Sequence, residues 1–249
     1  MKVSLITISF NSARLLEYSL RSVEAQTFPD IEHIVIDGGS TDGTLDIISR
    51  HRNRLAKVVS EPDKGIYDAI NKGLRLATGD IIGILNSDDM LADVTTIETI
   101  VRKMENSGAD VLYGDLIYCK SIAQHDSVIR YWRSNPFRPA GLKFGWMPPH
   151  PTLYLRRWMY EEMGEYDSTF SISADYDFML RLFSCRCTTV YLPNVLVYMS
   201  VGGVSNRNMH TMMLKTREDY RALRKNGIGG IYTVIFKKLR KVYQFFHSC

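Results

Sequence analysis

Short apolar runs alternate, along the first half of the chain, with longer segments whose apolar residues recur every three or four positions. Residues 2–9 place Val3, Leu5, Ile6 and Ile8 in a β-rich run that reads as a strand. Asn11 or Ser12 then offers a cap to a helix whose apolar positions are Leu16, Leu20 and Val23, and Phe28-Pro29-Asp30 breaks it. Strands are predicted at 33–36 and 56–60, on either side of a helix at 44–50. The spacing predicts a further helix over 66–77 with Ile66, Ala69, Ile70, Leu74 and Ala77 inward. Residues 81–85 are nearly all apolar, as in a strand covered on both faces. A helix at 95–104 and a strand at 110–118 continue the alternation. Strands alternating with helices in this way define βαβ units, and so an α/β fold with a mostly parallel sheet flanked by helices.

The second half is less regular. Strands are expected at 128–133 and 152–155, helices at 157–163 and 174–183, and short strands at 189–192 and 196–199. A helix over 208–225 places Met209, Met212, Met213 and Leu214 as core contacts. There is no internal repeat, low-complexity segment or flexible linker. The expected organisation is one domain over 1–206, with a nucleotide-binding half at 1–116 and an acceptor half at 117–206, followed by a tail at 207–249.

Composition narrows the class. The 249 residues are 45% hydrophobic and 23% charged, which is ample for a globular core. Cys119, Cys185, Cys187 and Cys249 show neither a disulfide framework nor zinc spacing, and read as reduced thiols of a cytosolic protein. The opening residues are too alternating for a signal peptide, and no run reaches the ~18 apolar residues of a membrane span. The formal net charge of +4 is unevenly placed. Residues 207–249 hold ten Lys and Arg against two acids, net +8, whereas residues 1–206 hold 21 against 25, net −4. A mildly acidic body with a strongly basic tail points to an anionic surface as a partner.

Polar residues gather where strands end. The first predicted strand ends on Thr7, Ser9 and Asn11, the second on Asp37, and the fourth on Asn86-Ser87-Asp88-Asp89, while Asp63-Lys64 follow the third. Ligands of open α/β sheets bind outside the carboxyl ends of the strands. A carboxylate such as Asp37 can accept hydrogen bonds from ribose hydroxyls or a base. The adjacent carboxylates of Asp88 and Asp89 repel unless a cation lies between them, and Mg²⁺ or Mn²⁺ commonly joins carboxylates to substrate phosphates. Each signal also has a plainer reading. Asp88-Asp89 can cap a helix or form a polar turn, and Asp37-Gly38-Gly39-Ser40 is good turn chemistry. Their coincidence on one edge favours a site.

The stretches VSLITISFN, IEHIVIDGGSTDGT, SEPDKGIYDAINKGLRLATGD, IIGILNSDD and ISADYDFMLRL occur in an order and spacing that resembles bacterial family 2 glycosyltransferases of the GT-A (Rossmann-like) fold, especially those of surface-polysaccharide synthesis. The resemblance covers roughly residues 1–205. It implies donor-nucleotide contacts at Thr7, Ser9, Asp37 and Asp63, with Lys64, Asn86 and Ser87 beside them. It implies a divalent ion, Mg²⁺ or Mn²⁺, on Asp88 with Asp89 as helper, and Asp175 as catalytic base. Two positions depart from the family pattern: Asn86 stands where an Asp is usual, and Ala174 where Glu often precedes the base. The implied reaction is an inverting transfer from a nucleoside-diphosphate sugar, most often uridine-linked, to a hydroxyl of a saccharide or lipid-linked saccharide.

Other residues carry two readings. His150, set among Pro148, Pro149 and Pro151, can contact a phosphate or be a hydrogen-bonded structural residue. Trp146 can stack on a sugar or fill the core. Arg181 can bind phosphate or pair with Asp177, four residues away on a helix. Gly202 to Asn206 can close over the donor or be a plain turn. Within 229–246, Tyr232, Ile235, Phe236, Leu239, Val242, Tyr243 and Phe246 share one helical face, with Lys237, Lys238, Arg240 and Lys241 on the others. That pattern predicts a helix lying on an anionic membrane, at the cytoplasmic face of the inner membrane, or else one packed on protein. The absence of a glycine in ISFNSARLLEYS argues against a sugar-phosphate nucleotidyltransferase and a dinucleotide oxidoreductase. A nucleic-acid binder would explain the tail but not the acidic strand ends. A weakened sugar-nucleotide-binding module is the remaining alternative.

Overall fold

In β1 (Val3–Ser9) every residue is buried, which is the condition of a central strand covered on both faces. The computed structural model of the chain describes residues 1–201 and 209–246. β1 lies between β2 (Ile31–Asp37) and β4 (Ile81–Asn86), parallel to both, and β3 (Lys57–Ser60) continues the parallel set beyond β2. The full order is β3-β2-β1-β4-β8-β6-β9-β5, where β5 is Asp89–Leu91, β6 Val111–Ser121, β8 Tyr154–Arg156 and β9 Thr189–Ser200. β7 (Gln124–Trp132) forms a hairpin with β6. Strands β5, β7 and β8 run antiparallel to their neighbours; the remaining pairs are parallel. The expected mostly parallel α/β sheet is therefore present.

Alternation along each strand divides the core between the two faces. Ile6, Ile8, Ile34, Ile36, Ile82 and Ile84 join the cluster covered by α3 (Ile66–Leu76), α5 (Arg157–Met163) and α6 (Ala174–Ser184). Val3, Leu5, Ile81 and Leu85 pack instead against α4 (Thr96–Ser107). Val35 meets α1 (Leu16–Glu24) and α2 (Thr44–Arg50).

Several expectations change. The first helix begins at Leu16 with no side-chain cap, because Asn11 and Ser12 are engaged elsewhere. The Asn11 carboxamide accepts from the Thr41 amide and the Ser12 amide donates to Thr44 Oγ1, so both residues tie the end of β1 to the loop after β2. In α3 it is Tyr67 that turns inward, while Ile66 is exposed. The chain after β4 makes a short strand, β5, before the next helix, and it pairs with β9 over Val197–Met199. The two short strands expected at 189–192 and 196–199 are one, β9, with register irregularities against β6. The C-terminal helices are present as α7 (Met209–Lys225) and α8 (Ile231–Phe246). On α7, Met212 and Met213 face solvent and make no core. Cys119, Cys185 and Cys187 are free thiols. Among the described residues, no helix is long and apolar enough to cross a membrane.

Candidate active site

The parallel strands deliver their polar ends to one edge, because register fixes which residues are neighbours. Ser9 lies opposite Asp37, and Ile8 opposite Asn86. Asp37 is fully buried and its carboxylate gathers this edge. It accepts from Ser9 Oγ at 3.2 Å, Ser40 Oγ at 2.5 Å, Ser60 Oγ at 2.8 Å, and the amides of Gly39 and Ser40 at 3.1 and 3.0 Å. Burial works against its charge, but these bonds, led by those from Ser40, hold its pKa below the ordinary carboxylate value. The side chain expected to meet the nucleotide thus fixes the 38–40 loop around it.

That loop meets an exposed aromatic ring and a second acid. A Cβ on Gly38 would lie 2.8 Å from Asp63 Oδ2 and 3.3 Å from Phe10 Cδ2, so only glycine lets the three converge. Phe10 is 63% exposed directly after a strand with no exposed residue. Asp63 is paired with Lys72 Nζ at 2.5 Å, and Lys72 also reaches Glu61 at 2.9 Å. Burial disfavours the Lys72 charge, but the bonds to Asp63 and Glu61 outweigh it and raise its pKa. Lys64 is exposed, and its amide donates to the Asp68 carboxylate in the first turn of α3. Thr7 does not reach this mouth. It is buried on the sheet face of α1 and α2, with Oγ1 2.9 Å from Nε2 of His33.

The Asn86–Asp89 segment turns the chain from β4 into β5. The Asn86 amide donates to Asp89 Oδ2 at 2.7 Å, and Ser87 Oγ donates to Ser12 Oγ at 2.8 Å. Asp89 is fully buried, and its Oδ1 has no hydrogen-bond partner. Burial and the neighbouring Asp88 both push its pKa up. An orphaned carboxylate oxygen beside a second carboxylate fits a hard divalent cation such as Mg²⁺ or Mn²⁺. No cluster of three or more His, Cys, Asp or Glu suited to a metal occurs among the described residues. The protein would therefore supply one or two oxygens, Asp88 and Asp89, and leave the other positions to phosphate and water.

Asp175 stands in the first turn of α6, with its Oδ1 accepting from the Tyr176 amide at 2.8 Å and Tyr67 Oη at 3.3 Å. Tyr67 belongs to α3, the helix that Asp63 and Lys64 precede. Tyr118 stands on β6. Burial lifts its hydroxyl to about 12; Arg130 opposes the shift, and the charges of both Asp89 and Asp175 add to it.

Three of the paired readings resolve as structural. His150 is held by Tyr166 Oη at 2.8 Å, and burial lowers its pKa despite the Asp175 charge. Trp146 is buried among Tyr113, Phe137 and Phe183, with Nε1 bonded to Asn135. Arg181 pairs with Asp177 at 3.3 Å and donates to the carbonyls of Met163 and Glu165. The stretch Gly202 to Asn206 lies outside the described residues. Phe10, Tyr67 and Lys72 were missed. Phe10 had a signal, an aromatic placed immediately after a buried strand.

The chain matches the sequence model of Glycosyl transferase family 2 over residues 4–176, and it belongs to that family. It is 32% identical over 224 residues to a PGL/p-HBAD biosynthesis glycosyltransferase of Mycobacterium bovis, covering 85% of this chain and 82% of that protein. An uncharacterized glycosyltransferase of Mycobacterium tuberculosis is 33% identical over 207 residues, covering 82% of this chain and 77% of that one. Among solved structures, Staphylococcus aureus TarS superposes with a TM-score of 0.69 at 20% identity, over 91% of this chain but only 39% of TarS. Residues 1–349 of TarS in complex with UDP-GlcNAc give 0.68 at 18% identity, over 91% and 65%. The mannosyltransferase PcManGT of Pyrobaculum calidifontis, in complex with GDP-Man and Mn²⁺, gives 0.67 at 21%, over 99% and 70%. These likenesses establish the fold.

Asp37→Asn is expected to lower the unfolding free energy by about 1–3 kcal/mol near neutral pH, the cost of leaving buried donors poorly paired. Because the folded pKa of Asp37 lies below its ordinary 3.8, the wild-type advantage is present above 3.8 and shrinks as pH falls through the folded value. Urea unfolding of both proteins from pH 7 to pH 3 measures it; a gap that widens in acid contradicts the assignment.

Proposed function

We propose that this glycosyltransferase moves a sugar from a nucleoside diphosphate, uridine-linked, to a hydroxyl of a saccharide or lipid-linked saccharide, with inversion. The observation that carries this reading is Asp175, a single acid in the first turn of α6, fixed by the Tyr176 amide and by Tyr67 of α3. A carboxylate so placed accepts the proton of the acceptor hydroxyl as its oxygen attacks the anomeric carbon. The bond to the leaving diphosphate breaks as the new one forms, and no covalent intermediate is needed. Phe10, Gly38 and Asp63 would receive the base, and the strand ends at Ser9, Asn86 and Ser87 the ribose. Thr7 and Asp37 support these groups from behind. A divalent ion held by Asp88, with Asp89 behind it, would neutralise charge developing on the diphosphate.

The uridine reading comes from the sequence resemblance, with a UDP-GlcNAc complex of TarS and a GDP-Man complex of PcManGT among the structural neighbours. A role in surface-polysaccharide or glycolipid synthesis is supported by the relative in PGL/p-HBAD biosynthesis. An acceptor at the cytoplasmic face of an anionic membrane is supported by α8. Its Ile231, Ile235 and Leu239 are 61%, 52% and 56% exposed, Tyr232 and Phe236 lie beside them, and exposed Lys238 and Arg240 flank the strip.

Asp175→Asn is expected to slow transfer by ~10²–10⁴-fold while leaving UDP binding intact; full activity in that variant removes the base assignment. Turnover should disappear with EDTA and return with Mn²⁺ or Mg²⁺, and undiminished turnover in chelator would exclude the metal role. The full chain should co-sediment with phosphatidylglycerol-rich vesicles, and Ile235→Ser/Leu239→Ser should not. Equal sedimentation of the two proteins, or none by either, rejects α8 as the membrane-facing element.

A further inference from the structure

The two C-terminal helices hold the segment that carries Asp175. The 43 residues of 207–249 contain ten cationic residues and only two acids, Glu218 and Asp219, and both acids are buried against the same three-residue stretch, 171–173. Glu218 accepts from three consecutive backbone amides, Ser171 at 2.9 Å, Ile172 at 2.8 Å and Ser173 at 2.9 Å. Asp219 accepts from Ser173 Oγ at 2.9 Å. Ser173 occupies the N-cap position of α6 with its hydroxyl turned to Asp219, and Asp175 is the second residue of that helix. From the other side, Tyr67 Oη donates to the Ile172 carbonyl at 2.5 Å and to Asp175 itself.

Helix α8 completes the assembly. Lys237 Nζ lies 2.9 Å from Asp219 Oδ1 and 3.3 Å from the centre of the Tyr176 ring, the residue next to Asp175. Its side chain is only 14% exposed. The helix is set in place by Gly145, whose φ of +68° and missing Cβ admit the Lys237 backbone, since a Cβ there would meet it at 2.6 Å. Thr233 Oγ1 donates to the Lys143 carbonyl at 2.8 Å, and Arg240 Nε to that of Phe144 at 3.0 Å. Burying three charged groups is a poor way to gain stability alone, because desolvation offsets most of the attraction. It is a good way to fix one geometry, since a carboxylate across three amides permits a single placement of the turn.

We propose that Glu218, Asp219 and Lys237 are positioning residues for the base: together they hold residues 171–173, and through them Asp175, at the angle that transfer requires. The inference rests on Asp175 being the base.

The test uses the full chain and UDP release from UDP-glucose, UDP-galactose, UDP-GlcNAc and, as GDP release, GDP-mannose. Asp175→Asn is run beside Glu218→Gln and Lys237→Met. The two positioning variants are expected to lose at least ~10-fold in kcat, within the ~100-fold that a 1 Å misplacement can cost. Their KM for donor and their affinity for UDP with Mn²⁺ should stay within about twofold of wild type, since the donor edge is untouched, and Lys237→Arg should restore most of kcat. A role in stability alone would instead lower the thermal midpoint and leave kcat of the folded fraction unchanged. If Asp175→Asn is slow while Glu218→Gln and Lys237→Met keep wild-type kcat, the positioning role is wrong and the base stands. If Asp175→Asn is as fast as wild type, or no donor is turned over, the underlying reading fails and this inference with it. Should Lys237→Met not fold, Glu218→Gln and Lys237→Arg decide the same question.

Discussion

A carboxylate removed from water must be given donors or a cation, and this requirement arranges the whole site. Asp37 has its donors: three hydroxyls and two amides converge on it, so its charge is stable and its surroundings rigid. Asp89 is half supplied. The Asn86 amide serves one oxygen and the other has none, so its charge, disfavoured by burial and by Asp88, is left to be met by a proton or an incoming cation. Asp63 has its cation in Lys72. Glu218 has three amides and Asp219 a lysine. The acids that are fully served build the frame, and Asp89, half supplied at the end of β4, is where a ligand has most to contribute.

The fold was legible where periodicity was strong. The helix at Thr44–Arg50 and the first four strands could be read from apolar alternation, because their burial is dictated by neighbours of the same kind. The edge on which Ser9, Asp37 and Asn86 meet was legible too, since parallel strands of similar length must end together. What could not be read was set by long-range partners. Asn11 and Ser12 look like helix caps until the loop after β2 claims them, and β5 has only three residues, too few to show a period. Ile66 and Tyr67 are adjacent and apolar, and only the Ile172 carbonyl and Asp175 explain why the tyrosine turns in. Asp37 could be read as a ligand contact or a turn residue, and nothing local reveals that Ser60, 23 residues on, also donates to it.

The tail shows the same division. Its apolar face was expected on Tyr232, Ile235, Phe236, Leu239, Val242, Tyr243 and Phe246; the first four are exposed, and the side chains of the other three lie outside the described residues. Its charges were read as one class. Lys237 departs from that class, because it alone projects toward Asp219 and Tyr176 while Lys238 and Arg240 stay at the surface. The exposed and docked sides are separated by one or two positions along the helix. A sequence pattern that counts cations cannot distinguish a lysine meant for lipid headgroups from one that neutralises a buried acid.

The two sides of α8 also constrain each other. The inner side is fixed to the body by Thr233, Val234 and Lys237 and by the backbone approach at Gly145. The outer strip therefore has a defined orientation relative to Asp175. A helix that rests on a surface through Ile231, Ile235 and Leu239 would present the mouth of the site to that surface at a set angle. The same rigidity that holds the base in register with the sheet edge would then hold the acceptor side in register with the layer from which a lipid-linked hydroxyl arrives.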